Sequence, residues 1–109
     1  MKTKIKRELQ ILKERGVIVR EVVHVVRELY PNSEIYLAGG AAEGRLTVLS
    51  DIDILVVFDK LHGSRADVLA RLWEALEAKI PAYYPIQIHV LERSEFSRIK
   101  GRKVRLSAP

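Results

Sequence analysis

The chain has no cysteine, which excludes disulfides and cysteine-ligated zinc. Asn and Gln together number only three, beside 30% charged residues, a balance that leans toward a thermophilic source. No apolar run approaches the ~20 residues needed to cross a bilayer. The lysine-bearing start from Met1 to Arg7 is not followed by a signal-peptide core, so the sequence reads as cytoplasmic. Internal repeats and low-complexity segments are also lacking.

What is present suits one globular domain. The 109 residues, 48% of them hydrophobic, are enough to bury a core and too few to suggest a second one. The expected organisation of residues 1–109 is a helical N-terminal part over 1–33, a core over 34–96 and a basic tail over 97–109. Net charge divides along the same lines, +4, −4 and +5 in residues 1–33, 34–92 and 93–109. An acidic middle suits a cation, and basic ends suit a polyanion such as RNA or an acidic partner, although charged runs are more often solvated faces.

Apolar spacing predicts the order helix, helix, strand, strand, helix, strand, short helix. Ile5, Leu9 and Leu12 mark a helix from Thr3 to Arg15, interrupted at Gly16. A second helix is expected over Val17 to Tyr30, with Val22, Val25, Val26 and Leu29 buried, ended by Pro31. Strands are expected at Glu34–Ala38, Asp51–Phe58 and Ile86–Leu91. Ser64 is a natural N-cap for a helix to about Lys79, with Val68, Leu69, Leu72 and Leu76 inward. The result is an α/β (α+β) fold, a small mixed sheet flanked by helices.

The segment Leu37 to Phe58, LAGGAAEGRLTVLSDIDILVVF, carries the chemistry. Side chains alternate along a strand, so Asp51 and Asp53 project from one side as near neighbours. Their repulsion favours a bound Mg²⁺ or Mn²⁺, which can bring phosphate oxygens with it. Gly39 and Gly40 let a phosphate chain approach the backbone. Ser50 either belongs to this site or stabilises the turn before the strand. Gly44 reads as a turn residue, and Arg45 as a phosphate contact or a solvated loop residue. His24 and Trp73 read as helix packing rather than as ligand or stacking platform.

An apolar strand, Gly39-Gly40, a spacer ending at Ser50, then Asp51-Ile52-Asp53 in a second strand resembles the signature of the DNA polymerase β-like nucleotidyltransferases. Within that superfamily the chain is similar to the minimal nucleotidyltransferases, over about Ile35 to Phe96. The resemblance implies a nucleotidyltransferase fold and attack of a hydroxyl on the α-phosphorus of an NTP, with ATP expected. It implies Asp51 and Asp53 as catalytic metal ligands, and Gly39, Gly40 and Ser50 as nucleotide-binding residues. It further implies a HEPN-domain partner in a toxin and antitoxin pair. The family's third acid falls at Gln87, an amide that lends a carbonyl oxygen to a cation but supplies no base near neutral pH. His89, two residues on, is a base, a ligand or a structural hydrogen-bonding group. Ala41 and Glu43 stand where active relatives often carry basic residues. Two functions follow, a Mg-dependent transferase with a substituted third position, or a weak or inactive binding module. RNA binding through the basic ends is a third.

Overall fold

The computed structural model describes the backbone of residues 2–42, 51–82 and 84–106 and, within these, the side chains of all but 2–13 and 41. A single helix, α1, runs from Lys2 to Leu29. The expected break at Gly16 does not occur. Glycine keeps its backbone N–H and costs only about 1 kcal/mol relative to alanine within a helix, too little to split a continuous run. Pro31 does end α1. Tyr30 N–H donates to Val26 O at 2.7 Å, and Ser33 donates to Tyr30 O through its backbone N–H at 3.1 Å and its hydroxyl at 2.8 Å.

Next come β1 (Glu34–Ala38), a single helical turn α2 (Gly39–Ala42), and β2 (Ile52–Phe58). They are followed by α3 (Arg65–Leu76), β3 (Ile86–Glu92), the turn α4 (Arg93–Phe96) and β4 (Val104–Arg105). Ser64 caps α3, its hydroxyl accepting from the backbone N–H of Ala66 and Asp67, which satisfies donors a helix start leaves open. The sheet order is β3-β2-β1-β4. β1 lies antiparallel to β2 and β4, and β2 parallel to β3, so the sheet is mixed and helix-flanked, as expected. Within the span expected to be a basic tail, Val104 and Arg105 pair with Leu37 and Tyr36 of β1. Two residues are too short a run to show the alternation by which a strand is read.

The core gathers Val22, Val23, Val25 and Val26 of α1, Ile52, Ile54 and Val56 of β2, and Leu72 and Leu76 of α3. Leu29, expected inside, is 43% exposed, because α1 ends there and the helical stripe runs out over the edge of the core. β2 is buried on both faces from Ile54 to Val57. The strand is thus held rigidly, with polar side chains only where it begins.

Candidate functional site

That beginning of β2 lies between the end of β1 and the start of β3. Register sets Asp53 opposite Ala38 on one side and Gln87 on the other. β1 leaves the sheet through Gly39, whose φ of +65° is the left-handed conformation that glycine adopts without strain. A Cβ built there would stand 2.8 Å from Asp53 Oδ2. The bare Cα of Gly39 therefore makes the seat for the Asp53 carboxylate. The expectation that this glycine permits close approach applies here to a carboxylate of the protein itself.

Asp51 lies just before β2 and is exposed, while Asp53 is half-buried. Gln87 Nε2 donates to Asp51 Oδ2 at 3.0 Å. A carboxylate only accepts, so this bond fixes the amide orientation and leaves Gln87 Oε1 as an acceptor for other groups. His89 Nε2 stands 3.4 Å from Asp53 Oδ1, a long contact whose proton position depends on the tautomer. The structure thus brings Gly39, Asp51, Asp53, Gln87 and His89 together. Gly40 follows in α2, while Glu43, Gly44, Arg45 and Ser50 lie outside the described residues. His24 turns away and pairs with Glu28 at 3.0 Å along α1.

A cavity of about 350 Å³ adjoins the site, lined by Ala38, Asp53, Leu55, Gln87, His89 and Leu91, with Ile99. Strand alternation explains most of it, since Asp53 and Leu55 share one face of β2, and Gln87, His89 and Leu91 the matching face of β3. Ile99, from the irregular segment after α4, gave no signal in the sequence. A second cavity, about 440 Å³, lies at the other end of β2 around Tyr30, Phe58 and Leu61. It has no carboxylate pair.

Among the described residues no three His, Asp or Glu side chains gather as a metal cluster. The donors at hand are the two carboxylates, with the Gln87 carbonyl and the His89 ring beside them. That set fits Mg²⁺, which keeps several waters and is commonly bound by one or two carboxylates together with substrate phosphates. The seat at Gly39 supports the same fit, because any side chain there would press on a ligand oxygen.

A family model described as "Nucleotidyltransferase domain" matches residues 19–107. Among solved structures, a candidate nucleotidyltransferase from Sulfolobus solfataricus is 29% identical. The match covers 93% of this chain and 83% of that one, with a TM-score of 0.64. A second structure, also a candidate nucleotidyltransferase, is 26% identical over 82% of this chain and 97% of its own, with a TM-score of 0.61. No curated protein matches the chain.

Proposed function

The chain belongs to the nucleotidyltransferase domain family, and from that premise we propose that it moves a nucleoside monophosphate, AMP above all, from a metal-bound NTP to a hydroxyl. The observation that carries this reading is the Asp53 carboxylate seated over the bare Cα of Gly39, with Asp51 tied to the facing strand through Gln87. Asp51 and Asp53 would hold Mg²⁺ or Mn²⁺, with Gln87 Oε1 as a neutral donor. When bound, the cation neutralises phosphate charge and aligns the triphosphate. Gly39 and Gly40 leave room for the phosphates against the backbone.

In the reaction the acceptor oxygen bonds to the α-phosphorus while the bond from that phosphorus to the β-phosphate bridging oxygen breaks. Pyrophosphate leaves with the electron pair. The acceptor's proton passes to solvent water, because the Gln87 amide is no base. A missing general base typically costs 10² to 10⁴ in rate, so transfer by the natural chain is slow. We read the protein as cytoplasmic, the compartment that supplies such a donor. The resemblance supports a HEPN-domain protein as partner and bearer of the hydroxyl.

One observation favours a second reading. The Gln87 to Asp51 hydrogen bond occupies an oxygen that the cation would use, which suits a nucleotide-fold module acting by binding alone. The two separate in one assay, transfer of labelled AMP to a co-expressed HEPN-domain protein. The transferase reading expects slow labelling that needs Asp51 and Asp53 and rises in Gln87→Glu. No labelling by either protein, with ATP binding absent, leaves only the module.

A further inference from the structure

One face of the sheet packs on α1 and α3, and Ile52, Ile54 and Val56 of β2 point into that core. By alternation Asp53, Leu55 and Val57 point the other way, with Ala38 and Tyr36 of β1 paired to Asp53 and Leu55. Leu55 and Val57 are only 4% and 1% exposed, yet they lie outside the helix-packed core. The second face is therefore covered as well.

The end of the chain supplies cover. α4 packs on β2 and β3, and residues 97–103 then lead to β4, which pairs with β1 on the far side of β2. That segment crosses the sheet as a strap. It does so on the face of Asp53, since the Phe96 ring at its start lies 4.4 Å from that of Tyr36. Ile99, three residues on, lines the cavity that Asp53 and Leu55 share.

One side chain closes the strap on itself. The Lys103 ammonium donates to the carbonyl oxygen of Ile99, four residues back. It also stands 4.8 Å from the centre of the Phe96 ring, a cation–aromatic contact. Between Ile99 and Lys103 the chain turns through Gly101 at a φ of +100°, which glycine adopts without strain. Lys103 thus ties the Ile99 backbone to the aromatic anchor at the start of the strap.

The space beside Ile99 has a mixed lining. Leu55 and Leu91 form its floor on the sheet, Ile99 its wall, and Gln87 and His89 stand at its side. Its volume of about 350 Å³ is near the lower end for ligand pockets, roughly 300 to 1,000 Å³. That suits a single flat heterocycle. The space adjoins Asp53, one of the two carboxylates assigned to the cation that aligns the phosphates. A nucleoside is bonded to the α-phosphate, so it lies next to that cation. The other large cavity, at the far end of β2, has no such position. A hydroxyl carried by a partner protein has the exposed rim of Asp51 and Gln87 for its approach.

We infer that Ile99 is a specificity-determining residue, the apolar wall against which the base of the NTP rests, and that Lys103 is a positioning residue that holds this wall. The inference deepens the nucleotide reading of Asp51 and Asp53 and rests on it.

The test titrates Mg–ATP and Mg–tripolyphosphate into the full chain by calorimetry. Tripolyphosphate brings the phosphates and the cation without a base. The natural chain prefers Mg–ATP. Ile99→Ala and Lys103→Met each reduce that preference at least about tenfold by weakening Mg–ATP, and leave tripolyphosphate binding where it was. Lys103→Arg, which keeps a donor and a cation for the ring, retains the preference. Melting temperatures read beside the titrations separate this from a merely structural role, in which stability and both affinities fall together. Such a joint fall in either variant, or an unchanged preference in Ile99→Ala, overturns the inference while the carboxylate site stands. Loss of AMP transfer in Ile99→Ala with Mg–ATP affinity intact overturns it in favour of the acceptor as occupant. A natural chain that binds neither probe overturns the transferase reading, and the inference with it.

Discussion

Two groups of carboxylates sit on the same sheet and are treated in opposite ways. At one place Glu34 accepts from Arg93 at 2.6 Å and from the Tyr36 hydroxyl at 2.9 Å, with Arg105 at 3.6 Å. The Arg93 hydrogen bond, then that of Tyr36, holds Glu34 below the usual carboxylate range, and the same contact raises Arg93. Phe96 closes the cluster, its ring 4.4 Å from Tyr36, with Arg93 and Lys103 over it. At the other place Asp51 and Asp53 meet an amide and an imidazole, with no Lys or Arg against them among the described residues. A carboxylate answered by the protein's own cations binds the fold together. The pair that meets an amide and an imidazole instead is the one to which we assign the substrate's cation.

Breaking the second group has the largest expected effect. Asp51→Asn with Asp53→Asn abolishes labelled AMP transfer and any rise in melting temperature with Mg²⁺ and ATP, while the metal-free protein stays folded. Next is Gln87→Glu, which makes the neutral partner a third carboxylate. AMP transfer rises about 10² to 10⁴-fold, worth roughly 3 to 5 kcal/mol. The metal-free protein loses some stability through like-charge repulsion, and its response to Mg²⁺ grows. A variant with unchanged transfer, beside a His89→Ala protein that has lost it, would move the decisive position two residues along β3.

Gly39→Ala sharpens the contrast from the backbone side. Its Cβ meets Asp53 Oδ2 at 2.8 Å and its φ of +65° is unfavourable for alanine, so the variant loses about 1 to 2 kcal/mol. It also displaces the carboxylate, which nucleotide titration reads as weakened Mg–ATP binding.

The first group is tested by pH. Because the folded-state pKa of Glu34 is depressed, its contribution is complete above its unfolded value. It is lost as pH falls from there through the folded value. Glu34→Gln therefore costs about 1 kcal/mol at neutral pH and nothing once the carboxylate is protonated in both states. Urea melts over a series of pH values falling from 7 check this. The smallest effect is a gain. Gly16 has no atom within 4 Å of an added Cβ, so Gly16→Ala stabilises the continuous helix by up to about 1 kcal/mol.

These contrasts show which features the sequence makes legible. The strands were readable because Asp51–Phe58 and Ile86–Leu91 are short and rich in β-branched or other apolar residues, and alternation alone set Leu55 on the face of Asp53. The single helix was obscured by Gly16, whose local preference yields to a helix that runs fourteen residues before it and thirteen after. β4 was obscured because a two-residue strand exists only through its pairing with β1. The site's parts were visible as residue types, but their joining was not. That Gln87 bonds Asp51 while lying opposite Asp53 depends on a parallel register between segments 36 residues apart. The Glu34–Arg93 pair spans 59 residues and is equally hidden.

The central claim is that Asp51 and Asp53 answer a metal-bound nucleotide, and isothermal calorimetry of Mg–ATP into the natural chain and into Asp51→Asn with Asp53→Asn tests it most directly. The account predicts saturable binding to the natural chain that requires Mg²⁺ and vanishes in the double variant. Equal binding by both proteins, or none by the natural chain at millimolar Mg–ATP, would contradict it.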